Sequence, residues 1–139
     1  FSFRNEEAVL DDLLNRVEAV FNSIDVRYEL IFVNDASTDA SLEVLSARRQ
    51  SKPNIIKVIN MSRRFGMGPS VLAGLEYSSG DAVIYMDTDL QDPPELIIDF
   101  INKWKQGHKV VIGVKEGSEE SIFFYLMRSF YYILINLKQ

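Results

Sequence analysis

Hydrophobic positions along this chain switch between two periods, and the switching predicts helices and strands that take turns. "AVLDDLLNRVEAVF" carries Val9, Leu13, Val17 and Val20, with Leu10, Leu14 and Phe21 beside them, the spacing of an amphipathic helix over residues 8–21. "YELIFVN", Tyr28–Asn34, is short, β-branched and aromatic, and reads as a buried strand. A helix from about Asp39 to Gln50 follows, and "IIKVIN" then repeats the strand signal. "PSVLAGLEYS" predicts a further helix, and "AVIYM", Ala82–Met86, a third buried strand. In "PELIIDFINKWKQG" Pro94 suits the first helical position and Gly107 the stop, and "KVVIG" predicts the last strand.

Continuous apolar strands alternating with helices predict an α/β fold, a mostly parallel sheet flanked by helices on both faces. In such sheets ligands bind outside the carboxyl ends of the strands. The polar groups that follow the predicted strands sit there: Asn34 and Asp35 after one, Ser62, Arg63 and Arg64 after the next, Asp87 and Asp89 after the third. One rim is the expected site.

Composition narrows the classes. The 139 residues, 47% hydrophobic and 25% charged, fit one globular domain with a real core. A net charge of −5 argues against a broad basic surface, so no nucleic-acid partner is expected. The absence of cysteine excludes disulfides and thiolate metal sites. The lone His108, in "KQGHKV", has no second histidine to share a metal and reads as a loop residue. No signal-peptide pattern is present, and the opening "FSF" reads as a strand entered partway.

Residues 1–114 are expected to form the binding domain, and 115–139 a loop and helix. The stretch "IFFYLMRSFYYILINLKQ" is very apolar, but Arg128 interrupts it, and it falls short of the roughly 20 residues of a membrane span. Ile122, Tyr125, Leu126, Phe130, Ile133 and Leu137 predict a C-terminal amphipathic helix. Such a helix lies on a membrane surface, or packs against the sheet or a neighbouring subunit of a homo-oligomer.

The chemistry centres on "MDTDLQDPPE". In extended geometry residues two apart share a face, so Asp87 and Asp89 aim at one point while Thr88 aims away. Two anions that close repel unless a cation joins them. Mg²⁺ and Mn²⁺ suit the place, since such hard ions take one or two carboxylates and complete their shell with water and phosphate oxygens. The pattern points to a nucleotide diphosphate held through a metal; the plain alternative is a solvated acidic turn. Asp92, before Pro93, Pro94 and Glu95, suits the helix start. Asp35 is placed to accept a hydrogen bond from a nucleobase or ribose, or to form an Asx turn. Ser37, Thr38 and Asp39 are expected to cap the next helix. "MSRRFGMGPSVLAGL" is a tight loop but not a phosphate-binding P-loop, because no Gly-Lys-Ser/Thr ends it. Arg63 and Arg64 either meet a phosphate bidentately or stand solvated at the strand end.

Five segments occur in order at suitable intervals: "NEE" at Asn5–Glu7, "VNDASTD" at Val33–Asp39, "SRRFG" at Ser62–Gly66, "AGLEYSSGD" at Ala73–Asp81 and "MDTDLQDPPEL" at Met86–Leu96. Together they resemble the inverting family 2 glycosyltransferases, and among them the polyprenyl-phosphate sugar transferases of the bactoprenol glucosyltransferase and dolichol-phosphate mannose synthase type. The resemblance implies a GT-A, Rossmann-like fold. It implies that Asp35 meets the base, that Glu6 lies by the nucleoside, that Asp87 stands near ribose and metal, and that Asp89 ligates the metal. Gln91 would line the sugar-diphosphate pocket, completing a catalytic group of Asp87, Asp89 and Gln91. Ser2, Arg4, Asn34, Arg63 and Thr88 would complete the nucleotide-sugar surface. The implied donor is UDP-glucose, with GDP-mannose the alternative, and the implied acceptor is a polyprenyl phosphate at the cytoplasmic face of a membrane. A soluble or polysaccharide acceptor, or a non-catalytic nucleotide-sugar-binding module, are the other readings.

Departures from the family pattern carry their own expectations. Ser2 stands where Pro is usual and Arg4 where an aromatic ring is usual, although a guanidinium plane also stacks. Ala36 replaces a common Gly, and a left-handed backbone there suits Ala less well. Arg64 and Met67 replace Asn and Lys.

Overall fold

A computed structural model describes residues 1–114. Three strands, β1 (Ser2–Phe3), β2 (Leu30–Asn34) and β3 (Ile56–Asn60), form a parallel sheet in the order β1-β2-β3. They are parallel because a helix makes each return: α1 (Leu10–Asn22) between β1 and β2, and α2 (Ser41–Ser51) between β2 and β3. Helix α3 (Met67–Glu76) follows β3, and a 3-10 turn over Pro94–Leu96 leads into α4 (Ile97–Lys105). The register pairs Phe3 with Asn34 and Asn34 with Asn60. All three strands therefore release their loops along one edge.

The core explains the helix spacing. Leu10, Leu13, Leu14, Val17 and Val20 of α1 join Phe3, Leu30, Phe32, Leu45 and Ile56 in one buried cluster, which Met86 and Ile97 complete. Each large aliphatic side chain removed from water in this way contributes about 1.5–3 kcal/mol. Leu30 and Phe32 share one face of β2, and Val33 turns to the other, where α3 packs. Gly74 permits that approach, since a Cβ there would lie 3.3 Å from Val33 Cγ2.

Two segments depart from the expected strands. Residues 82–86 join no ladder among the described residues, and only part of the run is packed: Met86 is buried and Ile84 half-buried, while Ala82, Val83 and Tyr85 are exposed. A wholly apolar run contains no polar letter to show which face turns outward. The sheet edge formed by β1 also offers just two ladder residues. Residues 109–113, expected as the last strand, likewise carry no ladder, and Val110 and Ile112 are exposed. Phe1–Lys109 makes one compact unit. The segment 115–139, with the expected amphipathic helix, lies outside the described residues. No helix among the described residues is long and apolar enough to cross a membrane.

Two local features set the stability of this frame. Ala36 has φ 56°, the left-handed region anticipated from its replacement of Gly. Glu29, just before β2, ties in the turn after α3: its Oε1 accepts from Ser79 N at 2.7 Å and Ser79 Oγ at 2.9 Å, and its Oε2 pairs with Lys57. The hydrogen bond from Lys57, then that from Ser79 N–H, hold the Glu29 carboxyl below its ordinary value of 4.5.

Ala36→Gly is expected to raise unfolding stability by about 0.5–1 kcal/mol in urea titration, because relief of left-handed strain outweighs the added freedom of the unfolded chain; a loss of stability would contradict the strain. Glu29→Gln is expected to cost about 1–2 kcal/mol at neutral pH. A depressed folded-state pKa contributes stability above the unfolded value of 4.5 and loses it as pH falls through the lowered folded value, so the deficit should close in acid. A deficit of constant size from pH 7 to pH 3 would show that charge plays no part.

Candidate active site

The loops after β1 and β2 lock together at the common edge. Asn5 N donates to Ser37 Oγ at 3.0 Å, and Thr38 N returns a bond to Asn5 Oδ1 at 2.8 Å. Glu6 N donates to Ser41 Oγ at 2.8 Å, and Glu7 N to Asp39 Oδ2 at 3.1 Å. The first free N–H groups of α2 are met by Glu7, whose Oε2 accepts from Ala40 N at 2.7 Å, and by Asp39, whose Oδ1 accepts from Ser41 N at 3.1 Å. The N-cap position of α2 is Ala40, which makes no side-chain cap; of the three residues expected to cap the helix, Asp39, just before it, bonds Ser41 N, while Ser37 and Thr38 bond to Asn5. Backbone bonds thus fix Glu6, and its carboxylate takes part in none of them.

Asn34 and Asp35 do different work. Asn34 is buried, donating Nδ2 to Asn60 Oδ1 at 2.8 Å and accepting Ser37 N on Oδ1 at 2.9 Å. Asp35 is 5% exposed, and its two oxygens accept Phe65 N at 2.6 Å and Gly66 N at 2.9 Å. That carboxylate clamps the loop after β3 against the end of β2. Gly66, at φ 91°, gives the loop the left-handed residue it needs to enter α3.

The acidic segment closes the edge from the other side. Asp87 and Asp89 are both exposed, and Thr88 between them is buried at 4% exposure, although the backbone bends at Thr88 and Asp89 rather than continuing as a strand. Tyr85, two residues before Asp87, shares the outward face, and its hydroxyl donates to Asp87 Oδ1 at 2.6 Å. Gln91 N donates to Asp89 Oδ1 at 3.0 Å around Leu90, which has φ 60°. Beyond the turn, Arg16 of α1 grips Glu95 through Nε at 3.1 Å and Nη2 at 2.6 Å. Burial, then the negative charges of Asp89 and Asp39, raise the Glu6 carboxyl above its ordinary value. Burial, then the hydrogen bond and charge of Asp87, push the Tyr85 phenol far up, so that it stays protonated as the donor.

These segments enclose an open cleft of about 260 Å³. β1 and its loop give it Ser2, Arg4 and Glu6, and β2 gives Asp35. The loop after β3 gives Arg64 and Gly66, and the acidic segment gives Tyr85, Asp87, Thr88 and Asp89. Ser2, Arg4, Glu6, Asp35, Asp87, Thr88 and Asp89, all singled out from the sequence, therefore meet at one place. Asn34, Arg63 and Gln91 are not among the lining residues. Arg63 instead lies over the Phe65 ring, 4.4 Å from its centroid, so of these two neighbours Arg64 is the one on the cleft. Sequence reading missed Tyr85, whose only signal was its place two residues before Asp87.

The donor set fits a small hard cation. No group of three or more His, Cys, Asp or Glu among the described residues is placed to hold a metal by itself. Asp87 and Asp89 nevertheless each give one oxygen to a donor of this chain and turn outward on one face of an open cleft. Two carboxylates with room for water and phosphate are what Mg²⁺ and Mn²⁺ use.

Comparison with known proteins agrees with this geometry. Residues 2–139 match the family model described as Glycosyl transferase family 2. An uncharacterized glycosyltransferase, YkcC of Bacillus subtilis (strain 168), is 42% identical over 120 residues, covering 86% of this chain and 37% of the relative. The undecaprenyl-phosphate 4-deoxy-4-formamido-L-arabinose transferase of Pseudomonas paraeruginosa (strain DSM 24068 / PA7) is 38% identical over 117 residues, covering 84% of this chain and 34% of that protein. The chain thus spans about a third of the length of these curated relatives. The crystal structure of S. aureus TarS 1–349 superposes with a TM-score of 0.60 at 21% identity, over 83% of this chain and 36% of that one, a likeness of fold. With a parallel α/β sheet of GT-A type and a family match running almost from end to end, this chain belongs to glycosyl transferase family 2.

Proposed function

We propose that this chain is the donor-binding part of a metal-dependent inverting glycosyltransferase that moves a hexose, from UDP-glucose in the first instance, onto a polyprenyl phosphate at the cytoplasmic face of a membrane. The observation that carries the reading is the outward pair Asp87 and Asp89 on the wall of a cleft that also holds Glu6, Arg4 and Arg64. The acceptor rests on the 38% identical relative, which is named an undecaprenyl-phosphate transferase.

In this account Asp87 and Asp89 would hold Mg²⁺ or Mn²⁺, whose contribution is to neutralise charge developing on the departing diphosphate. Arg64 stands on the same wall and adds a second cationic group for the diphosphate. Arg4 offers a flat guanidinium on which a base can stack, and Glu6, held by its backbone, faces the nucleoside. Asp35 acts at one remove: with both oxygens on backbone N–H groups, it fixes the loop that presents Arg64. The acceptor phosphate is already anionic, so its oxygen bonds to the sugar C1 as the bond from C1 to the diphosphate breaks on the opposite side. No general base is required, and catalysis is positioning plus charge stabilisation.

A second donor class has its own support, since the same relative is named for a 4-deoxy-4-formamido-L-arabinose. The assay therefore offers the full-length protein undecaprenyl phosphate, Mg²⁺ or Mn²⁺, and in separate reactions labelled UDP-glucose, GDP-mannose or the nucleotide-linked formamido-arabinose. Label in the organic phase is expected from UDP-glucose. Label from another donor alone would replace the hexose assignment, and label left in water in every reaction would reject transfer to lipid. Asp89→Asn is expected to weaken metal-dependent donor binding at least tenfold in calorimetry, and unchanged affinity would remove Asp89 as a ligand.

A further inference from the structure

The outward face of the acidic segment carries three groups in succession, Tyr85, Asp87 and Asp89, and the two carboxylates are oriented by different devices. Asp89 is held by a backbone donor, Gln91 N. Asp87 is held by a side chain, the Tyr85 hydroxyl, at 2.6 Å, the length of a charge-assisted O–H···O⁻ bond. Tyr85 is 42% exposed and lines the cleft, so this bond forms at the site rather than in the core. A carboxylate with no such partner swings freely about its last torsion and can offer either one oxygen or both to a cation.

We propose that Tyr85 is a positioning residue for the cation: its bond to Asp87 Oδ1 fixes the orientation of the carboxylate and disfavours bidentate coordination, and so favours an ion that accepts one carboxylate oxygen at short range. This deepens the metal-dependent reading of the site and rests on it. The expected consequence is discrimination between cations. Mg²⁺ demands near-octahedral geometry with single oxygens, whereas Ca²⁺ is larger and accepts bidentate carboxylates. Groups that orient a metal ligand from behind typically change affinity by about 10–100-fold when removed.

The test is Tyr85→Phe in the full-length protein, which deletes the hydroxyl and keeps the ring. Mn²⁺ binding in the presence of UDP, followed by the electron paramagnetic resonance of free Mn²⁺, is expected to weaken about tenfold. Ca²⁺ should displace Mn²⁺ more effectively, relative to Mg²⁺, than in the wild type. The rate at saturating Mn²⁺ should return close to the wild-type rate, a recovery that a general loss of structure would not give. Mn²⁺ affinity within twofold of wild type, with an unchanged Mg²⁺ to Ca²⁺ preference, overturns the proposal. Tyr85→Gln supplies a donor without a ring and should bind Mn²⁺ more tightly than Tyr85→Phe; weaker binding would count equally against it. Asp89→Asn, titrated in parallel, separates the two levels. If it leaves Mn²⁺ binding intact, the metal reading itself fails, and if it alone weakens binding, only the role of Tyr85 fails.

Discussion

Two exposed carboxylates on either side of a buried threonine are the constraint on which the rest of this site depends. Burial of Met86 and Thr88 anchors that segment inward, and Asp87 and Asp89, on either side of Thr88, are left exposed. The arrangement concentrates negative charge, and Glu6, whose carboxyl is raised first by burial, is raised further by the charges of Asp89 and Asp39. Proteins relieve such crowding by protonation or by a cation. Beyond the turn the bidentate Arg16 to Glu95 pair ties the start of the next helix to α1.

The frame facing this acidic segment is built largely by polar side chains that bind backbone. Parallel register aligns Phe3, Asn34 and Asn60, so that three loops leave the sheet side by side. Asp35 then clamps the third loop, Asn34 ties β2 to β3, and the Asn5 to Glu7 segment interlocks with Ser37 to Ser41. These polar residues after the strands thus fix the loops that carry Glu6, Arg4 and Arg64. Position after a strand marks a residue for the rim, but only geometry separates those that build the rim from those that face the ligand.

That distinction marks how far the sequence could be read. The amphipathic spacing of α1 and the β-branched runs of β2 and β3 are encoded locally, and the structure follows them closely. The left-handed Ala36 was legible because replacement of a Gly carries a conformational meaning. Ala82–Met86 was less legible, because five apolar letters in a row conceal which face is packed. The same concealment hid Tyr85, which reads as a core aromatic until its neighbours' burial shows it outward. Arg63 and Arg64 are chemically identical in sequence, and stacking on Phe65 decides which of them leaves the cleft. The hold of Asp35 on the loop after β3 was not legible, because its two backbone donors, thirty or more residues away, leave no local signature.

The central claim, a divalent cation joining the acidic pair to the diphosphate of a sugar nucleotide, is tested most directly by anomalous diffraction at the manganese edge. Crystals of the full-length protein would be grown with donor and Mn²⁺. The account predicts one strong peak about 2–2.5 Å from a carboxylate oxygen of Asp89 and of Asp87, with diphosphate oxygens completing the shell. Bound donor with those two side chains turned away from it, or a manganese peak elsewhere in the protein, would contradict it.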